Sequence, residues 1–215
     1  MKKLLHIQAS PRGERSASMR VANAYIDAMR ANGSAGSVDT LDIWKEPLPP
    51  FDGDALEAKY AGLAGQTFSP AQTDAWKPIV ALADRLKAAN CIVLSVPMWN
   101  FGVPYRMKHL IDLVTQKDVT FRFDANGFDG ILKDKSAVLI CARGMSYSDA
   151  GGASEKDFDF QKSYLTAWLR FIGISNINTI TVEKTLFGAA AETASVEAGI
   201  EQARKLADTR AHAEA

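Results

Sequence analysis

Residues Cys91–Pro104 read CIVLSVPMWNFGVP: an apolar run, a proline, then Met98-Trp99-Asn100-Phe101, a glycine and a second proline. A continuous apolar run closed by turn residues is the pattern of a strand in a parallel sheet, whose two faces are both covered by helices. Open α/β sheets bind their ligands at the carboxyl ends of such strands. Aromatic side chains and an asparagine at that end, in place of charges, suit a flat, partly apolar ligand gripped by a loop. A cofactor-binding enzyme is the leading expectation.

On either side of this segment, strand and helix patterns alternate. Lys3–Ala9 reads as a strand, Ser10–Arg15 as a loop, and Ser16–Asn32 as a helix with Ala22/Ile26 and Tyr25/Met29 at i, i+4 spacing and Gly33 as its stop. Val38–Trp44 is a weaker strand. Glu46–Ser69 reads as irregular, long enough to be a functional loop or an interface element. Ser69-Pro70 is an N-cap and N1 pair opening a helix to Ala89, with Trp76, Ile79, Leu82, Ala83 and Leu86 on one face and Pro78 expected to kink or split it. The Cys91–Val96 strand is followed by a helix from Pro104 to about Lys117.

Val119–Phe123 (VTFRF) alternates like a strand and leads through Asp124-Ala125-Asn126-Gly127 towards Gly130–Leu132, which predicts a hairpin outside the core. Ser136–Ala142 is the fourth core strand. Asp157–Ile172 is helical, with Tyr164, Leu165, Trp168, Leu169 and Ile172 inward; Asn178–Val182 is the fifth strand and Glu192–Ala211 the closing helix. The expected fold is α/β: a doubly wound five-stranded parallel sheet in one domain over residues 1–215.

Bulk properties narrow the function. Lys+Arg and Asp+Glu balance at 25 each among 215 residues, so the chain carries no electrostatic footprint for nucleic acid or an anionic membrane. No apolar stretch approaches the ~20 residues of a membrane span. MKKLLHIQASP, broken by His6 and Gln8, reads as a strand rather than a signal segment. The two cysteines, Cys91 and Cys141, sit in different strands at an offset of about five residues, too far apart to bond at ~3.3 Å per residue. They read as buried thiols of a cytoplasmic protein. His6, His109 and His212 show no metal-ligand spacing, and no Gly-x-Ser-x-Gly elbow supports hydrolase chemistry.

Three loops leave the same edge of such a sheet. Ser10–Ser18 (SPRGERSAS) runs from the first strand into a helix amino terminus, where free N–H groups and the helix dipole favour an anion. Ser10, Ser16 and Ser18 add hydroxyls, and Arg12 or Arg15 can add charge. No Gly-x-Gly-x-x-Gly follows a strand and no Gly-x-x-x-x-Gly-Lys-[Ser/Thr] occurs, so a mononucleotide phosphate is preferred over a dinucleotide or ATP. Met98–Gly102 offers a wall and backbone groups for a heteroaromatic ring, stiffened by two prolines. Ala142-Arg143-Gly144-Met145-Ser146-Tyr147 ends the fourth strand, with Gly144 suited to close approach of a ligand.

On these residues the chain resembles the FMN-dependent NADH-azoreductases and NADH:quinone oxidoreductases of the flavodoxin-like class. The resemblance rests on Ser10 with Ser16-Ala17-Ser18, on PMWNFGVP at Pro97–Pro104, on VTFRF with its following turn, and on Ala142-Arg143-Gly144. It implies strand order 2-1-3-4-5 with FMN at the switch point. It implies that Ser10, Ser16, Ala17 and Ser18 hold the FMN phosphate. Met98, Trp99, Asn100 and Phe101 then border the isoalloxazine, and Ala142, Arg143, Gly144 and Met145 line its other edge. Ala142 stands where many relatives have Ser, Met145 where a second Gly is usual, and Trp99 where some have Tyr.

The implied activity passes reducing equivalents from NADH, or NADPH, through FMN to quinones and azo compounds. The flavin carries the chemistry and no acid–base residue is demanded of the protein. A homodimer with flavin at the interface is expected, the hairpin with Phe121 and Phe123 and the segment with Pro50, Phe51, Tyr60 and Phe68 supplying its apolar contacts. The rival is a flavodoxin-type electron carrier without small-molecule turnover. Such carriers tend to be strongly acidic, and this chain is neutral. A phosphodiester esterase is a third, weaker reading.

Overall fold

The structure, a computed structural model, describes residues 1–125, 127–147 and 154–212, with side chains to Arg210. The core elements run β1 (Lys2–Gln8), α1 (Ala17–Ala31), β2 (Ala35–Asp42), α2 (Gly53–Leu63), α3 (Pro70–Ala88), β3 (Cys91–Pro97) and α4 (Tyr105–Val114). The hairpin β4 (Phe121–Asp124) and β5 (Gly127–Gly130) follows, then β6 (Ser136–Ala142), α5 (Glu155–Phe158), α6 (Phe160–Phe171), β7 (Asn176–Val182) and α7 (Ala189–His212). Five strands form one parallel sheet in the order β2-β1-β3-β6-β7, and β4-β5 is a separate antiparallel pair. The expected order 2-1-3-4-5 numbered core strands alone; the labels differ because the hairpin takes two numbers.

Alternation along the strands builds two cores. One side of the sheet, with Leu5, Ile7, Ile92, Leu94, Leu139 and Cys141, packs on α3, α4 and α6; the other, with Leu4, Val93, Val138, Ile140 and Val182, packs on α1 and α7. Truncating one of these residues, such as Leu94 to Ala, costs about 2–5 kcal/mol. Ser69 and Gln72 form a reciprocal capping box for α3, and the helix runs unbroken through Pro78, so the expected split does not occur. Arg85 of α3 grips the sheet edge, bonding Asp39 at 2.7 Å and Glu46 at 2.6 Å. These bonds, and chiefly the hydrogen bond from Arg85, hold the Asp39 carboxyl below its usual range.

Three expectations need correction. Glu46–Ser69 contains α2, whose buried residues are Ala55, Ala58 and Ala61. An alanine stripe carries too little hydrophobic contrast to announce a helix. Asp157–Ile172 is two helices broken at Asp159, whose carboxylate accepts from the Lys162 amide at 2.8 Å and so starts α6 anew. The hairpin is not free of the core at its base: Phe121 packs on Phe171 with centroids 4.8 Å apart, and Gly130 lies against the Gly173 backbone where a Cβ would collide. Asn126 of the expected turn and the run 148–153 lie outside the described residues. Among the described residues no helix is long and apolar enough to cross a membrane. Cys91 and Cys141 are free and buried in paired strands, Cys91 opposite Ser136 and Cys141 opposite Val96.

His6 is buried in β1 and closes a chain of bonds that fixes its neutral Nε2–H form. Gln8 Nε2 donates to its Nδ1 (3.3 Å), its Nε2 donates to Ser95 Oγ (3.0 Å), and Ser95 Oγ donates to the Ile7 carbonyl (3.4 Å). Burial lowers its pKa from 6.5 to about 4, against the opposing pull of Asp42. The folded-state pKa lies below the unfolded one, so this stability is complete above pH 6.5 and lost as pH falls through 4. Between pH 7 and 5 the loss is about 2 kcal/mol. Denaturant titrations of wild type and His6→Gln across that interval should show a shallower pH slope in the variant. An identical slope would refute the assignment.

Candidate active site

Because the five strands are parallel, the loops after β1, β3 and β6 leave one edge, and backbone bonds tie them together. The Ala9 amide donates to the Ser95 carbonyl (3.0 Å) and the Met98 amide to the Ala142 carbonyl (2.7 Å). The chain reverses its winding direction between β1 and β3, the position where open sheets form a ligand crevice.

The first loop delivers a helix terminus without a cap. Ser16 occupies the N-cap position of α1 with an extended backbone, yet its hydroxyl makes no capping bond. It lies 3.1 Å from the Ser18 hydroxyl, and Ser10, Ser16, Ala17 and Ser18 are all buried. The first-turn N–H groups have no intrahelical carbonyl to bond, and the dipole puts positive potential there. Hydroxyls and first-turn amides converge there, an arrangement suited to a small anion. Arg12 and Arg15 are exposed and flank a short 3₁₀ turn, so charge from them is peripheral.

The second loop is a strained reverse turn. Trp99 and Gly102 exchange backbone bonds (3.1 and 2.9 Å), and the two residues between them, Asn100 and Phe101, have φ of 45° and 71°. Positive φ at both central positions is the type I′ geometry, usually met by Asn-Gly. Placing phenylalanine in the second position costs on the order of 1–2 kcal/mol, a strain typical of binding sites. The result is that Trp99, Asn100 and Phe101 stand exposed at the rim. Trp99 leans on Trp44 (5.6 Å) and Tyr105 (6.3 Å), Trp44 donates its Nε1–H to the Ala9 carbonyl (3.0 Å), and Phe101 rests on Phe158 (5.6 Å). Two aromatic groups therefore flank the turn.

The third loop differs from its expected role in two respects. Arg143 turns inward and is 3 % exposed: Nη1 bonds Asp159 Oδ2 at 2.5 Å, Nε and Nη2 bond Glu183 Oε1 at 2.9 and 2.6 Å, and its guanidinium lies 4.8 Å from the Tyr147 ring centre. Its backbone is engaged as well, the amide donating to the Val182 carbonyl and the carbonyl accepting from Thr185, so Arg143 serves to tie the loop down. Gly144 meets Leu186, whose Cδ1 would lie 2.5 Å from an added Cβ, so its smallness serves a neighbouring loop rather than a ligand. Met145 is exposed, and Ala142 is buried behind it.

Burial works to raise the Glu183 carboxyl, but bonds from Arg143, the Tyr147 amide and Ser146 outweigh it and hold the group below its usual range. Burial pushes the Cys141 thiol up to about 12, which removes it as a nucleophile. Trp44, Tyr105, Phe158 and Asp159 were not foreseen at this edge; Trp44, ending the second strand reading, was the one with a positional signal.

A family profile described by the flavodoxin-like fold matches residues 2–207. An FMN-dependent NADH:quinone oxidoreductase of Pseudomonas fluorescens is 46% identical over 208 residues, covering 96% of each chain. One from Desulfotalea psychrophila is 41% identical, covering 92% of this chain and 95% of its own. The azoreductase of Bacillus anthracis superposes with a TM-score of 0.85 at 24% identity, over 97% of this chain and all of that one. A second azoreductase structure from that species, solved with FMN, gives 0.84 at 21% identity, over 97% and 99%. The chain belongs to the flavodoxin-like family and, within it, to the FMN-dependent NADH:quinone oxidoreductases.

Proposed function

We infer that this chain, as one domain over residues 1–215, is a cytoplasmic FMN-dependent oxidoreductase passing electrons from NADH to quinones and azo compounds. One observation carries the reading: an uncapped helix terminus walled by serines opens at the same edge as a strained aromatic turn. An anionic end and a flat ring system are the two halves of FMN, and the residues present fit both. Bound FMN supplies two-electron transfer between a nicotinamide and an acceptor.

The phosphate is held by the hydroxyls of Ser10, Ser16 and Ser18 with the amides of Ala17 and Ser18. Met98, Trp99, Asn100 and Phe101 would border the ring, and Ala142–Met145 would close its far side, where the amides of Gly144 and Met145 would favour the negative charge of a reduced flavin. Trp44 and Tyr105 back Trp99 and keep water from that flank. Quinone or azo acceptor and nicotinamide take turns on one ring face, since the chain carries no separate dinucleotide fingerprint. The buried free thiols accord with a reducing compartment.

A homodimer with flavin at the interface completes this reading. Phe123 and Phe128 on the hairpin and Tyr60 and Leu63 on α2 are exposed, and Leu63 and Phe121 line one common pocket. Apolar side chains grouped in this way mark a contact surface.

Three tests follow from these assignments. Changing Ser16 and Ser18 together to Ala should raise the FMN dissociation constant on the order of a hundredfold and leave riboflavin binding nearly unchanged; equal losses would sink the phosphate seat. Initial-rate plots of NADH oxidation at fixed acceptor concentrations should be parallel, whereas intersecting lines would require a second nicotinamide site. Sedimentation should give twice the chain mass, and Phe123→Asp should lower both dimer content and flavin retention. A monomer with full turnover would contradict the interface.

A further inference from the structure

The first three residues of the α6 start, Asp159, Phe160 and Gln161, each grip a different part of the rim. Asp159, 4 % exposed, holds Arg143 of the third loop through Oδ2 while its Oδ1 accepts the Lys162 amide. The Phe160 amide donates to the carbonyl of Phe101, the strained residue of the second loop, at 3.0 Å. Gln161 is fully buried, and its Nε2 donates to the Val96 carbonyl at 2.9 Å, at the root of that same loop. Phe158, one residue before the break, stacks on Tyr147 of the third loop and packs against Phe101 of the second.

We propose that Asp159 and Gln161 are positioning residues for the flavin ring: they lock the second and third loops to a single helix end and so fix the width of the slot between them. The proposal rests on the flavin reading given above.

A turn with phenylalanine at positive φ does not hold itself; without an external tie it relaxes to an unstrained form. The Phe160 amide supplies that tie at the strained carbonyl, and Gln161 stops the strand end from sliding. Backbone bonds tie the third loop to the chain at and after β7, the Arg143 amide donating to Val182 and the Thr185, Leu186 and Lys184 amides to the carbonyls of Arg143, Gly144 and Met145, but none of these reaches the second loop. Its position depends on where the Arg143 guanidinium is drawn, and a guanidinium at this depth stays only where carboxylates receive it. Glu183 anchors it to the end of β7, and Asp159 draws it towards the second loop. A break between α5 and α6, which costs helix continuity, exists to put that carboxylate there.

Gln161 also separates positioning from stability. Its Oε1 has no partner among the described residues, so the amide carries an unmet buried acceptor beside its one bond. Gln161→Leu removes the tie to Val96 but also removes the unmet acceptor, and these opposing effects keep the melting temperature near wild type. Asp159→Asn keeps the acceptor that caps α6 and removes the charge that holds Arg143.

The test measures apoprotein binding of FMN and of riboflavin by fluorescence quenching, with thermal melting alongside, for wild type and the two variants. Each variant should weaken both flavins on the order of tenfold and by the same factor, because the phosphate seat is untouched. The visible flavin band should lose vibronic structure as the slot loosens. A loss confined to FMN, or lower melting temperatures with unchanged flavin affinities, would overturn the proposal while leaving the flavin reading intact. Wild-type protein that binds neither flavin would overturn both.

Discussion

A parallel sheet covered by helices on both faces leaves its backbone open to a ligand only where the strands end. In this chain β3 and β6 are buried along nearly their whole length and β1 over residues 4–7, and His6, a polar group of β1 that enters the interior, is satisfied inside it. Chemistry is thereby pushed to the carboxyl edge. The parallel register then delivers three loops to that edge together, and the reversal of winding at β1/β3 opens the space between them. Any residue that carries function must reach this rim, whichever element it comes from.

Stability is spent at the rim as well as made in the core. The left-handed backbone at Asn100 and Phe101, the unused capping hydroxyl of Ser16 and the buried carboxylate of Asp159 are each unfavourable alone. Each is held by a specific partner: the Phe160 amide, the hydroxyl pair with Ser18, and the guanidinium itself. The two core layers supply the surplus that lets such features persist. A site with pre-set strain and pre-oriented dipoles loses little freedom when its ligand enters.

What the sequence disclosed and what it withheld divide along a physical line. Ser136–Ala142 was legible because every residue of it is buried, and the Ser69-Pro70 cap because its bonds are local. A loop after β3 was legible from Met98–Gly102 between prolines, but not its tight turn, whose second central position holds phenylalanine where glycine is usual. The α2 helix was not, since Ala55, Ala58 and Ala61 show no contrast with their surroundings. Arg143 read as a ligand for the rim, but its partners Asp159 and Glu183 stand 16 and 40 residues away, and no local pattern announces them. The break at Asp159 coincides with a local cap, its carboxylate accepting from the Lys162 amide, and the same carboxylate also meets the distant Arg143 guanidinium.

The same line divides the two halves of the ligand. The proposed phosphate seat uses the loop after β1 and the start of α1, nine residues from Ser10 to Ser18, so its geometry is encoded where it is built. The ring slot has no such local origin. Its walls come from β3 and β6, and its width is set by α6, which follows both of them in the chain. Substitutions in the first loop therefore act on the anionic end alone. Substitutions in α6, remote in sequence and buried from the ligand, act on how the ring is gripped. On the proposed reading the phosphate is recognised by secondary structure and the ring by tertiary structure, and Ala142 and Met145 fall in the part that tertiary ties control.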